Sequence, residues 1–186
     1  MSGKKQIIQA AFELFAEKNF DAVGIREIGE RAGLTNPALY QHFSGKKALG
    51  EEVYRQCYQT LMDAVDTRLK DGMTPLQKLD IYVDAAVSLH KKTPSPLLFL
   101  EDQQRHFGLI TKQEFRDKAV TARLTRWIDE AREAELISST APTPFLVALI
   151  IGQVTKWAVM ASVGLAPKSN ASEWLKHSIH AALQAN

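Results

Sequence analysis

Apolar residues recur along this chain at intervals of three and four, and no stretch shows the strict alternation of a half-buried strand. Ile8, Ala11, Phe12 and Phe15 share one face of a helix over about residues 4–18, and Asn19 follows where a left-handed residue ends it. Two short helical segments come next, then a longer one over about 46–70 that Asp71-Gly72 stops. Thr74-Pro75 opens a fifth helix ending near Lys92, and Ser95-Pro96 opens a sixth that Gly108 closes. Thr111 and Glu114 have capping-box spacing for a long seventh helix. Thr143-Pro144 starts an eighth, closed by Gly164, and Ser169 or Asn170 caps a ninth that runs to the C-terminus. The pattern predicts an all-α fold of about nine helices.

Composition narrows the class. Of 186 residues, 45% are hydrophobic and 24% charged, which fits a soluble globular chain able to bury a sizeable core. The net charge of +2 advertises no general affinity for polyanions, so any nucleic-acid surface has to be a local one. The single cysteine, Cys57, excludes an internal disulfide framework and fits a reducing, cytoplasmic setting; it reads as a core residue, with a thiol sensor as the alternative. Glu13 interrupts the N-terminal apolar run and no small-residue cleavage site follows, so no signal peptide is expected. Residues 136–155 are uncharged, but the prolines, serines and threonines before Phe145 and the charge at Lys156 make a buried helix a better reading than a membrane span.

The chemistry concentrates in "IREIGERAGLTNPALYQHF", residues 25–43. Ile25, Ile28 and Ala32 form one apolar face; Gly29 beside it permits a close crossing, and Gly33 stands where a positive φ turns the chain. Two helices joined by so short a glycine turn are a helix-turn-helix, a geometry that also occurs as plain packing. Asn36 is the most natural cap of the second helix, with Thr35 competing and Pro37 harmless in the first turn. With Leu39 and Phe43 inward, Pro37, Ala38 and Gln41 point outward, and Tyr40 and His42 lie on opposite flanks. A helix in a major groove needs that distribution: its ridge meets base edges and its sides meet phosphates.

Gln41 has the geometry for a bidentate pair with adenine, and Ala38 for a thymine methyl contact. Tyr40 and His42 donate to phosphates in this reading, and Asn36 serves either role. Lys46 opens the fourth helix, where free N–H groups already favour an anion, and Arg26 reaches toward the same groove.

Residues 5–50 resemble the DNA-binding domain of the tetracycline-repressor (TetR) family. The resemblance rests on Ala11 and Phe15, Phe20, Ile28-Gly29, Ala32-Gly33-Leu34-Thr35, Tyr40 with His42-Phe43, and Lys46 with Leu49. It implies that Tyr40, His42 and Lys46 contact phosphates and that residues 35–38, Thr35, Asn36, Pro37 and Ala38, contact bases and backbone. Asn19, Gly24, Gly45 and Pro37 depart from the family's usual residues without breaking the motif.

The resemblance further implies a double-stranded DNA operator, a homodimer and a small-molecule inducer. Residues 1–50 are then the DNA-binding domain, the fourth helix (46–70) links it onward, and 71–186 form the ligand-binding and dimerisation domain. The eighth helix is apolar nearly all round, with Ala148 and Gly152 four apart. The ninth carries Leu175, Ile179 and Ala182, so two copies would make a four-helix interface, with monomeric core packing as the alternative. Polar and aromatic groups among apolar ones mark His90, Phe99, Gln103, Phe107, Trp127, Gln153 and Trp157 as candidate ligand contacts. Glu173, His177 and His180 share a helix face, but an open face of this kind is ordinarily solvated, and no metal is expected.

No nucleophile–base pair, phosphate loop or paired carboxylates appear, so no catalytic residue, cofactor or membrane partner is expected. The leading expectation is a homodimeric repressor released by a small ligand. The alternatives are a ligand-independent architectural or cell-division factor with the same DNA-binding head, and an all-α small-molecule-binding protein without a regulatory role.

Overall fold

The computed structural model describes residues 3–185, the side chains of Thr111 and Lys112 aside. Among the described residues there are ten α-helices and no strand: α1 (Gly3–Lys18), α2 (Ile25–Ala32), α3 (Asn36–Tyr40), α4 (Lys46–Asp66), α5 (Pro75–Lys92), α6 (Ser95–Asp102), α7 (Gln104–Phe107), α8 (Val120–Glu133), α9 (Thr143–Ser162) and α10 (Ala171–Gln184). A π-helical turn (Thr111–Phe115) and a 3-10 turn (Arg116–Lys118) precede α8.

The all-α expectation holds, and the departures from it have local causes. Gln103 takes φ −98° and ψ 8°, which divides the expected sixth helix into α6 and α7. The expected seventh helix begins at Val120 instead of Thr111, because Glu114 is drawn into a bidentate pair with Arg55 of α4 rather than into a cap. The fourth helix ends at Asp66, one turn before Lys70. Other signals read correctly: Thr74 and Gln77 complete a reciprocal capping box on α5, and Asn19 and Gly164 adopt φ of 65° and 77°. Asn170 stands at the N-terminus of α10 but its side chain makes no cap. The last residue of the expected ninth helix, Asn186, lies outside the described residues.

α1 packs on α2, α3 and α4, and also on α6. α4 lies against α5 and α6; α5 meets α8, α9 and α10; α9 meets α6, α8 and α10. One continuous hydrophobic core therefore runs from Ile7, Leu14 and Leu39 through Leu49 and Leu61 to Ile128, Ile150 and Ile179. α10 is tied to α5 by polar contacts as well: His180 Nε2 lies 2.8 Å from Asp80 Oδ1, and Lys176 pairs with Asp84.

α9 is long and apolar enough to cross a membrane by length and composition, with a mean hydropathy of 1.6. Leu146, Val147, Ile150, Val154, Trp157, Ala158 and Ala161 instead face the core. Its other side is uncovered: Phe145 and Met160 are exposed, as are Ala148 and Gly152. On α10 Trp174 and Ser178 are among the outward residues, whereas Leu175 and Ile179, expected at an interface, are buried in the protein's own core and Ala182 is half-buried.

Candidate nucleic-acid interface and interior cleft

α3 has only five residues, and a helix that short is unstable without tertiary support. Three features hold it. The Thr35 hydroxyl accepts from Ala38 N at 3.4 Å, so Thr35 and not Asn36 is the cap. A hydroxyl one residue earlier lets Asn36 and Pro37 both occupy the first turn. Leu39 is fully buried and Phe43 nearly so, which contributes about 1.5–3 kcal/mol for each such side chain. Finally, Gln41 N and Phe43 N still donate to Pro37 O and Leu39 O at 3.1 and 3.0 Å, so helical side-chain directions persist beyond Tyr40.

The turn before α3 depends on two glycines. Gly33 has φ 68°, and its N–H bonds Glu30 O. A Cβ at Gly29 would stand 3.2 Å from Leu34 O and 3.3 Å from Asn36 Oδ1, so its bareness admits the turn itself.

The outer surface of this unit carries Pro37, Gln41 and His42, all exposed, together with Tyr40 at 53% exposure. Ala38 and Asn36 are half-buried, and His42 rests beside Gly3 at the first turn of α1. Arg26 projects from α2 with no ion pair among the described residues. Arg31 differs: it forks onto Glu17 at 2.9 and 3.0 Å, an interaction that raises its own pKa and lowers that of Glu17. Lys46 is half-buried; its ammonium donates to Phe20 O and Asp21 O, both at 3.2 Å, and sits 4.8 Å from the Phe20 ring centre. It therefore fastens α4 to the α1–α2 loop and keeps one of its three donors for another acceptor.

Deeper in the protein, α4 to α9 surround a cleft of about 90 Å³. Tyr54, Tyr58 and Leu61 come from α4, Tyr82 from α5, Leu97, Leu100 and Glu101 from α6, and Gln104 from α7. Val120, Thr121, Ile151 and Thr155 of α8 and α9 complete the lining. Tyr58 Oη accepts from Val120 N at 2.7 Å. Burial pushes the Tyr54 hydroxyl up to about 12 and raises Tyr58 and Tyr82 as well, so all three remain neutral donors near pH 7.

None of the seven residues singled out for ligand contact lines this cleft. Phe99 stacks on Phe15, and Phe107 meets Phe20 edge-on at 5.3 Å, because their side of α6 and α7 faces the first helices. His90 is buried against Trp157 and Ser162. Gln103 is buried, with its Nε2 bonded to Asp102 and its Oε1 unpaired. Trp127 borders a charged surface groove, and Gln153 and Trp157 border an apolar groove beside Trp174. In the sequence each cleft tyrosine reads as an ordinary core position; the one signal it offers is Tyr54 and Tyr58 at a spacing of four.

Glu173 and His177 are solvent-facing while His180 turns to Asp80, and no group of metal-ligating side chains forms among the described residues. Cys57 is buried, which pushes its thiol up to about 12 and leaves it unreactive.

A stub of helix pinned by its apolar underside, with its ridge bare, after a glycine turn and a supporting helix, defines a helix-turn-helix protein. Residues 7–53 match the family model described as "Bacterial regulatory proteins, tetR family". The chain is 23% identical to the transcriptional repressor KstR2 of Mycolicibacterium smegmatis over 76% of its own length and 69% of that protein's. It is 30% identical to the transcriptional activator FasR of the same organism, over 59% of its length and 46% of that protein's. In fold it superposes on a tetR-family regulatory protein of Rhodococcus RHA1 with a TM-score of 0.79 at 16% identity, covering 100% and 99% of the two chains. It superposes equally well, at 17% identity over 97% and 99%, on the regulator FadR of Bacillus subtilis, solved with stearoyl-CoA. The N-terminal unit, residues 7–53, thus matches the tetR family of bacterial regulatory proteins, and the whole chain has the fold of solved proteins of that family.

Proposed function

We propose that this regulator is a homodimeric repressor that binds a near-palindromic operator through α3 and releases it when a small molecule enters the cleft. In this reading residues 1–50 are the DNA-binding domain, α4 links it onward, and 71–186 bind ligand and dimerise, in the cytoplasm. The observation that carries the proposal is the division of α3 and the turn after it: Leu39 and Phe43 are sealed into the core, while Pro37, Tyr40, Gln41 and His42 face solvent. Gln41, with Ala38 beside it, meets base edges; Tyr40, His42 and the remaining donor of Lys46 meet phosphates, supported by Arg26, Thr35 and Asn36.

The uncovered face of α9 and α10, with Phe145, Met160 and Trp174, supports pairing of two copies. A two-fold dimer sets its recognition helices about 34–36 Å apart, or a multiple of that turn.

α6 and α7 supply the coupling. Leu97, Leu100, Glu101 and Gln104 line the cleft, whereas Phe99 and Phe107 of the same two helices press on Phe15 and Phe20. The Phe20 carbonyl in turn holds Lys46. A ligand that displaces α6 therefore moves the rings on which the DNA-binding helices rest. A hundredfold loss of operator affinity needs about 2.7 kcal/mol of such coupling.

The relatives include a repressor and an activator, so the sign is tested in cells: a reporter under the protein's own promoter is expected to rise when its gene is deleted. A fall would make it an activator, and duplex binding unaffected by any compound that fills the cleft would remove the ligand response.

A further inference from the structure

We propose that the charged groove beside Trp127 binds a small organic phosphomonoester, at a site separate from the interior cleft and independent of the ligand response argued above. The groove forms where the end of α4, the first turn of α5 and the start of α8 meet. It encloses about 370 Å³, against about 90 Å³ for the interior cleft. Small-molecule pockets commonly span about 300–1,000 Å³. α4 runs for 21 residues, so the groove lies about 30 Å from Lys46, at the opposite end of that helix from α3. The backbone of an operator seated on α3 does not reach it, and neither α9 nor α10 contributes to its lining.

Charge selects the ligand. Five cations and two carboxylates line the groove. Arg123 forks onto Asp66, and Lys78 pairs with Glu130 at 3.2 Å. Lys70, Lys118 and Arg126 form no ion pair among the described residues, and only the carboxylate of Asp117 stands against them in the lining. Three free cations against one free carboxylate leave two positive charges uncompensated. A phosphomonoester carries about −1.5 to −2 near neutral pH and presents three strong acceptor oxygens, so it matches that excess and offers one oxygen to each free cation. A monocarboxylate would balance only half of the charge, and a neutral ligand none. Leu69 and the buried Trp127 give the groove an apolar wall, which the organic part of the ligand covers.

The test is calorimetry on the full chain in low-salt buffer, with AMP and its uncharged counterpart adenosine as probes. AMP is expected to bind at least about tenfold more tightly, with an affinity that falls as salt rises. Lys118→Gln combined with Arg126→Gln is expected to remove that advantage; both side chains are exposed and unpaired, so the thermal midpoint is kept. Lys91→Gln combined with Lys92→Gln removes the same charge at the other end of α5 and is expected to leave AMP affinity unchanged. Glycerol 3-phosphate tells the sources apart: binding tighter than AMP assigns sugar phosphates, weaker binding assigns nucleotides, and either order supports the site. AMP no tighter than adenosine, or an equal loss in the two double variants, overturns the assignment. Operator affinity that falls in the Lys118 and Arg126 variant as far as AMP affinity does also overturns it, because the groove is then a nucleic-acid surface.

Discussion

Phe99 of α6 stacks on Phe15 of α1 with ring centres 5.6 Å apart and planes 12° from parallel. Two residues beyond Phe99, Glu101 lines the interior cleft. The stack is thus one aromatic contact between a cleft-lining helix and the DNA-binding helices, beside the path from Tyr54 through Phe107 to Phe20. Such a pair contributes about 0.5–1.5 kcal/mol beyond the area it buries. Phe99→Leu is expected to lower the thermal midpoint by a few degrees. It should shrink a cleft ligand's effect on operator affinity several-fold. Calorimetry beside duplex titrations checks this, and an undiminished effect on the operator would remove the stack from the coupling.

Gly50 sits where α4 passes the second aromatic contact. A Cβ there would come within 2.5 Å of Phe20 Cε2 and 2.8 Å of Phe107 Cζ, so both rings must shift. Gly50→Ala is expected to cost about 1–3 kcal/mol by overpacking, read from denaturant titration. Gly152→Ala, where a Cβ meets nothing within 4 Å of its own protomer, should not destabilise the protomer. A harmless Gly50→Ala would contradict the tight seating of α4.

How much of this was legible beforehand follows from the range of each interaction. The helix-turn-helix could be read because its determinants are local: a left-handed glycine at 33, buried Leu39 and Phe43, and a cap within one turn. Thr111 and Glu114 misled for the same reason, since a capping signature carries no information about Arg55, 59 positions from Glu114. The cleft was illegible because six helices build it. Tyr54 and Tyr82 look like core residues until α6 brings Glu101 beside them. Phe99 and Phe107 stand among apolar neighbours as candidate ligand contacts, but sequence does not say toward which neighbour a helix turns its aromatic side.

His90 is buried beneath Trp157, with Nδ1 unpaired, and burial followed by the nearby Lys168 lowers its pKa. The unfolded chain, with an ordinary value near 6.5, then takes up the proton first. The stability associated with neutral His90 is therefore present above about pH 6.5 and lost as pH falls through that value. Wild type is expected to lose more stability than His90→Leu between pH 7.5 and about 5.5, each referenced to its own value at pH 7.5. Parallel curves would show that His90 takes up its proton equally in the folded and unfolded chain over that range.

Trp174, 68% exposed on α10, stands beside the apolar groove bordered by Gly152, Trp157 and Met160 of α9. An indole at the centre of an interface commonly carries about 2 kcal/mol or more. Trp174→Glu is expected to weaken self-association at least about thirtyfold by sedimentation while the helical spectrum is retained. An unchanged association constant would place the dimer contact elsewhere.

The most direct test of the central claim is a base-by-base affinity profile of the wild type, Gln41→Ala and Tyr40→Ala on a duplex selected by the protein from a random pool. Binding should fall steeply with salt, with a slope near −0.9 for each phosphate contact. Gln41→Ala should erase about 1–3 kcal/mol of preference at one base pair in each half-site, and Tyr40→Ala should weaken every sequence alike. If both variants lower affinity uniformly, or if neither changes it, α3 does not read the groove.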